Sequence, residues 1–132
     1  MMTTVLLVED DPLNARVFAT ILRKRGSFEV IHSQDVEEIL TLVTSGKINI
    51  VLMDISLSQS YYKGQAVDGI RITQMLKAEP TSQVIPVILV TAHAMAGDRE
   101  AFLAESGAEG YIAKPIIDQQ GMIDQIQATM LS

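Results

Sequence analysis

A chain of 132 residues that is 48% hydrophobic and carries a net charge of −6 can bury one core of its own, and it is poorly suited to lie on a phosphate backbone. With no cysteine, disulfides, thiolate metal sites and thiol catalysis are excluded together. No apolar run approaches a membrane span, and Met1-Met2-Thr3-Thr4 lacks the basic and hydrophobic regions of a signal peptide, so the expectation is one cytoplasmic domain over 1–132, with no membrane and no direct nucleic-acid partner.

Val5-Leu6-Leu7-Val8 is a continuous apolar run ending in Glu9-Asp10-Asp11, which predicts a strand buried on both faces and charged at its exit. Pro12 suits the first turn of a helix, where its missing N–H is no loss. Leu13, Val17 and Ile21, with Phe18 and Leu22, follow at helical spacing, and Gly26 is placed to end the helix. Phe28 to Ile31 reads as a short second strand. Val36, Ile39, Leu40 and Val43 then give the stripe of a second helix, which Gly46 closes. Ile48 to Asp54 is the third strand, apolar up to its terminal carboxylate. From Ser56 to Ala66 the periodicity lapses through a polar stretch with adjacent Tyr61 and Tyr62, which predicts a lengthened loop at 56–68.

A third helix covers Asp68 to Ala78, with Ile72, Met75 and Leu76 inward and Pro80 stopping it. Val87 to Val90 is a fourth buried strand ending in Thr91-Ala92, Gly97 to Ser106 a weaker helix, and Gly110 to Ala113 a fifth strand leading into Lys114-Pro115. The last helix, Gln119 to Leu131, places Met122, Ile123, Ile126 and Met130 on one face, with its first turn weakened at Gly121 by about 1 kcal/mol relative to Ala. Continuous apolar strands alternating with helices predict an α/β doubly wound sandwich around a parallel sheet. Ligands bind such sheets at the carboxyl ends of the strands, beside the point where strand order reverses.

Those ends carry Glu9, Asp10, Asp54, Thr91 and Lys114. Three carboxylates in one crevice repel one another, so a cation neutralises them or one takes up a proton. Hard oxygen donors with no His or Cys among them point to Mg²⁺, which keeps several waters and leaves room for phosphate oxygens. Lys114 and the Thr91 hydroxyl add a point charge and a hydrogen bond suited to a phosphoryl group. Together they describe a phosphoryl acceptor site with a carboxylate nucleophile. Singly, each residue has a plainer reading: acids favour helix N-termini, Asp begins turns, Thr is ordinary in strands, Tyr111 is a half-buried aromatic and Lys114 a surface cation.

Val8-Glu9-Asp10-Asp11, Leu52-Met53-Asp54-Ile55, Val90-Thr91-Ala92 and Tyr111-Ile112-Ala113-Lys114-Pro115, in this order, resemble the receiver domains of two-component response regulators over essentially the whole chain. The resemblance implies a flavodoxin-like (βα)5 sandwich with a parallel sheet in the order 2-1-3-4-5. It implies that Asp54 accepts phosphate from a histidine kinase or histidine phosphotransfer protein. Asp10, Asp54 and the backbone carbonyl of Ser56 would ligate Mg²⁺ directly, and Glu9 through water. Lys114 would pair with a phosphoryl oxygen. Thr91 would reach for another after modification, with Tyr111 turning into the space it leaves and reshaping the face of the fourth helix, fifth strand and fifth helix, where a downstream protein binds. Ser56 and His93, two residues beyond Asp54 and Thr91, fall where family members tune access of the hydrolytic water. His93 also reads as an inert exposed histidine, and neither it nor His32 has a metal-ligating cluster around it.

The family's pattern breaks after Asp54. Ser58 stands where a proline is expected, and Asp68-Gly69 matches the helix-opening pair only after inserted residues. Loop extension costs about 0.6 kcal/mol per doubling of length, so the fold is not threatened. Tyr61, Tyr62 and Lys63 are then either a lid or partner contact, or a solvated insertion. The expected function is that of a single-domain response regulator, which signals by protein contact and turns over no external substrate; the sequence ends after its fifth helix, so output is expected through another protein. The alternative is an adaptor of the same fold that binds its partner without phosphorylation. A Mg²⁺ phosphohydrolase of the haloacid dehalogenase type would carry a second Asp where Asp54-Ile55-Ser56 has serine, and a flavodoxin would need a Ser/Thr/Gly-rich phosphate loop after the first strand.

Overall fold

A computed structural model describes residues 2–57, 60–92 and 97–131. In chain order the elements are β1 (Thr4–Val8), α1 (Pro12–Gly26), β2 (Glu29–His32), α2 (Val36–Thr44), β3 (Ile50–Asp54), β4 (Tyr61–Tyr62), β5 (Gln65–Ala66), α3 (Gly69–Ala78), β6 (Val87–Thr91), α4 (Asp98–Ser106), β7 (Gly110–Ala113) and α5 (Gln119–Leu131). Five strands form one parallel sheet in the order β2-β1-β3-β6-β7. This is the expected 2-1-3-4-5 order, because β4 and β5 belong to a separate two-stranded ribbon.

β1, β3 and β6 are buried along their whole length, which is why they read as unbroken apolar runs rather than as alternating ones. Their side chains divide by the two-residue period of a strand. Val5, Leu7, Ile50, Leu52, Ile88, Val90 and Ile112 point to the side covered by α1 and α5, where they meet Phe18, Ile21, Leu22, Met122, Ile123 and Ile126. Leu6, Val8, Val51, Met53, Val87 and Leu89 point to the opposite side, against Ile39 and Val43 of α2 and Ile72 and Leu76 of α3.

Three acids fix helix starts. Asp11 accepts from Leu13 N–H at 2.9 Å, Asp68 from Arg71 N–H at 2.9 Å and Asp118 from Gly121 N–H at 2.8 Å, each satisfying a donor with no partner inside the helix. Gly26 ends α1 as the sequence reading has it, with Ser27 as the left-handed cap at φ 55, while β2 starts one residue later than expected, at Glu29. Leu13 and Val17 keep helical spacing but stand 67% and 48% exposed, because the sheet is met by Ala15, Phe18, Ile21 and Leu22. Likewise Ile48 is buried but lies ahead of β3, which starts at Ile50.

The expected loop after Asp54 contains a folded β-hairpin. Tyr61 pairs with Ala66 and Tyr62 with Gln65, across the turn Lys63-Gly64, whose φ values are 52 and 81. Two successive positive φ values are those of a type I′ turn, whose twist matches that of paired strands. Tyr62 packs on the α2/α3 core, and the Ser60 hydroxyl donates to the Gln34 carbonyl at 3.0 Å.

The return from this insertion is tight. Gly69 N–H donates to the Ile55 carbonyl at 3.0 Å, and a Cβ on Gly69 would run into the backbone oxygen of Asp54. Gly69→Ala is therefore expected to lower stability by about 2–4 kcal/mol, measured by urea unfolding; an unchanged midpoint would mean that α3 can back away from β3 freely.

Candidate functional site

Register brings the strand ends together. Val8 pairs with Met53, which sets Glu9 level with Asp54. Asp54 pairs with Val90 and Val90 with Ile112, so Thr91, Ala113 and Lys114 lie just beyond the same line. The two-residue period then sorts them by face. Glu9 continues the Val5-Leu7 column, Asp54 the Ile50-Leu52 column and Lys114 the column of Ile112, all on the α1/α5 side. Thr91 continues Val87-Leu89 on the other side, where Tyr111 also packs.

The result is a small charged nest. Carboxylate oxygens of Glu9, Asp10 and Asp54 lie within 4.8 Å of one another. Lys114 Nζ stands 3.0 Å from Glu9 Oε1 and 3.5 Å from Asp54 Oδ2. Glu9 Oε2 accepts from Asp11 N–H at 3.3 Å, and Asp54 Oδ1 from Ser56 N–H at 3.1 Å. Glu9 is 2% exposed, Asp54 3% and Thr91 2%. Lys114 N–H donates to the Thr91 carbonyl at 2.8 Å, tying the lysine's backbone to the end of β6, and the peptide bond from Lys114 to Pro115 is cis.

Burial, with the Asp54 carboxylate alongside, pushes the Glu9 carboxyl up to about 7 from 4.5, against the pull of Lys114. Burial works against the Lys114 charge too, but Glu9 and Asp54 outweigh it and hold the ammonium above its ordinary value. Metal-free, the nest holds three carboxylates against a single lysine, and Glu9 is the one whose affinity for a proton is raised. These donors fit a hard divalent cation. Two oxygens about 2.1 Å from one Mg²⁺ are at most about 4.2 Å apart, so a spread of up to 4.8 Å suits direct ligation by part of the set and a water link to the rest.

Tyr111 is half-buried and stacks on Phe102 of α4, ring centroids 6.2 Å apart and planes inclined by 22°. Its hydroxyl is buried without a hydrogen-bond partner among the described residues. Burial first, and then Asp98, push the phenol above its ordinary value. Tyr62 points into the α2/α3 core, whereas Tyr61 is 61% exposed. Ser56 is exposed at the mouth of the site. His93 and Ser58 lie outside the described residues.

Two participants were not singled out from the sequence. His32 Nε2 sits 2.6 Å from the Glu9 carbonyl; its only signal was its place at the end of β2, level with the acidic turn. Asp11, without a role in the sequence reading, caps α1 and offers its N–H to Glu9. Among the described residues no helix is long and apolar enough to cross a membrane.

Residues 5–127 match the family model described as the response regulator receiver domain. The chain is 37% identical over 116 residues to the polar-differentiation response regulator DivK of Brucella anthropi, covering 88% of this chain and 87% of that protein. It resembles the receiver domain of the sensor histidine kinase PA1611 of Pseudomonas aeruginosa PAO1, solved with a magnesium ion coordinated in the active-site cleft, at 29% identity and TM-score 0.81 over 100% of both chains. The Vibrio cholerae chemotaxis protein CheY4 shares the fold at 17% identity and TM-score 0.80, over 98% of this chain and 99% of that one.

Between its ordinary 4.5 and about 7, Glu9 binds a proton in the folded chain that it has lost in the unfolded one, so metal-free stability falls as pH rises through that window. Thermal melts in EDTA are expected to drop by a few degrees from about pH 5 to about pH 8, and Glu9→Gln to flatten that slope. Saturating Mg²⁺ is expected to raise the melting temperature more at the higher pH, where Glu9 no longer holds its proton; an equal rise at both would disconnect Glu9 from the metal.

Proposed function

This chain belongs to the response regulator receiver domain family, and from that premise we propose that it accepts a phosphoryl group on Asp54 from a histidine kinase or histidine phosphotransfer protein, with Mg²⁺, and signals through a protein-binding face that phosphorylation remodels. The observation that carries the reading is the nest itself: a buried carboxylate at a strand end, two further acids within 4.8 Å and an ammonium 3.5 Å away.

An Asp54 carboxylate oxygen attacks phosphorus, the P–N bond to the donor imidazole breaks, and the ring leaves with the bonding electron pair and takes up a proton. Asp10, Asp54 and the Ser56 backbone carbonyl would hold Mg²⁺ directly and Glu9 through water, and the ion would supply charge neutralisation for the phosphoryl oxygens. Lys114 keeps its proton and pairs with the incoming oxygens. Ser56 N–H, already on Asp54 Oδ1, orients the nucleophile. Burial of Asp54 excludes bulk water from the acyl phosphate, and Ser56, exposed at the mouth of the site, tunes access of the hydrolytic water.

Approach is open on the α1 side, where a cavity of about 330 Å³ lined by Val17, Ala92, Lys114, Pro115 and Ile116 adjoins the lysine. Val17, which lines it, and Leu13, one turn earlier on α1, are both exposed and suit an apolar helix of the donor. Output uses the face of α4, β7 and α5, through Thr91 and Tyr111, to a downstream protein.

Incubation with acetyl phosphate and Mg²⁺ is expected to add one phosphoryl group by intact-mass analysis, with Asp54→Asn and EDTA each abolishing it. Thr91→Ala is expected to label within a few fold of the wild type and yet lose the accompanying change around Tyr111, followed by NMR shifts of β7 and α4. A wild type that stays unlabelled, or an Asp54→Asn protein that binds every partner as the phosphorylated wild type does, would favour the phosphorylation-independent adaptor.

A further inference from the structure

The hairpin of β4 and β5 is not accounted for by the chemistry above, and three features set it apart from a solvated insertion. It is folded, with paired strands, a Val67 N–H to Ser60 carbonyl bond at 3.0 Å and a buried Ser60 hydroxyl fixed on Gln34. Its turn places Lys63 at φ 52, a conformation that disfavours a residue with a Cβ and that persists where surrounding structure holds it; the Lys63 ammonium lies 5.3 Å from the centroid of the Tyr62 ring. Its two faces differ: Tyr62 packs on the core, while the Tyr61 and Ala66 pair faces solvent, Tyr61 61% exposed.

Its position ties it to the acceptor. The segment leaves the sheet at Asp54-Ile55 and returns where Gly69 N–H bonds the Ile55 carbonyl. Its flank is anchored on Gln34, two residues beyond His32, whose ring contacts the Glu9 carbonyl. The hairpin therefore stands on the α2 lip of the acidic crevice, across it from the apolar α1 lip. With Tyr62 turned into the core and Ser60 held on Gln34, it is a fixed wall rather than a lid over Asp54.

We propose that this hairpin is a recognition element for the protein phosphodonor, with Tyr61 as its anchoring side chain and Lys63 beside it. The inference rests on the phosphoacceptor reading of Asp54. Asp54 is 3% exposed, so a donor imidazole must descend to the floor of the crevice. A specific protein interface covers about 800 Å² of each partner, a disc about 16 Å in radius, and one centred on Asp54 spreads over an element rooted in Asp54's own strand. An exposed tyrosine brings a large rigid contact with a polar tip and little entropy to lose, the profile of an interface anchor. A small donor such as acetyl phosphate does not reach the lip.

The test is Tyr61→Ala, which leaves Tyr62, Lys63 and the turn in place. Two donors are compared with Mg²⁺: acetyl phosphate, and a ³²P-labelled histidine phosphotransfer domain selected because it labels wild-type Asp54. Expected are unchanged labelling by acetyl phosphate and a fall of about ten-fold in kcat/KM for transfer from the domain, carried by KM. Tyr61→Phe should restore most of it. Val84→Ala, at an exposed apolar residue before β6 at the far end of the sheet, should change neither. Protein-donor transfer unchanged in Tyr61→Ala, or an equal loss with both donors, overturns the proposal. A wild type labelled neither by acetyl phosphate nor by any phosphotransfer domain screened overturns instead the reading of Asp54 on which it rests.

Discussion

Three carboxylates facing one ammonium create the electrostatic conflict on which the carboxyl edge of this sheet depends. Two like charges 4.8 Å apart repel by about 3.5 kcal/mol at an effective dielectric near 20, and Glu9, Asp10 and Asp54 form three such pairs. That is comparable with the whole net stability of a small domain, so the fold cannot hold all three ionised without compensation. Lys114 removes part of the repulsion, and a proton on Glu9, whose carboxyl is pushed up to about 7, would remove more. A divalent cation would remove it most fully, so the uncompensated cluster is destabilising.

The apolar sheet makes that conflict unavoidable. β1 and β3 are buried from end to end, so neither can carry a charge before its last turn without leaving it unpaired in the core. Pairing of Val8 with Met53 then delivers Glu9 and Asp54 to the same level, and the two-residue period delivers them to the same face. Lys114 arrives there by the same rule, through Ile112 on β7. The hydrophobic columns that stabilise the fold are also what aim the charged groups, so stability and site geometry share one set of contacts.

Much of this was legible in the sequence because the signals were redundant. Each of the three central strands was an unbroken apolar run of four residues, too short for a helix and enriched in β-branched residues, which arbitrates for a buried strand. The acids, Thr91 and Lys114 stood at the exits of strands, so locating the strands located them. The hairpin was not legible. Tyr61, Tyr62, Gln65 and Ala66 show no apolar alternation, and Lys63-Gly64 is not the Asn-Gly or Asp-Gly pair that marks such turns; the ribbon forms because Ser60 and Tyr62 find tertiary partners. For α1, spacing alone could not tell that Leu13 and Val17 fall outside the arc that meets the sheet. His32 was invisible for another reason: its contact is with a backbone carbonyl, which no side-chain pattern encodes.

The division of strand ends between two faces bears on how a change at Asp54 can travel. The charged nest lies on the α1/α5 side, while Thr91 and Tyr111 lie on the α4 side, and the Lys114 N–H bond to the Thr91 carbonyl joins the two. The buried Tyr111 hydroxyl, unpartnered among the described residues, costs about 1–3 kcal/mol. Its ring stacking on Phe102 returns about 0.5–1.5 kcal/mol, which offsets only part of that cost. α4 resists movement weakly, since Ser106 is the one fully buried residue along it. A group so placed, beside a helix so lightly held, can change position for a few kcal/mol. That is the scale of a single charge-assisted hydrogen bond such as the one proposed for Thr91, and a shift of that size need not disturb the core between the two faces.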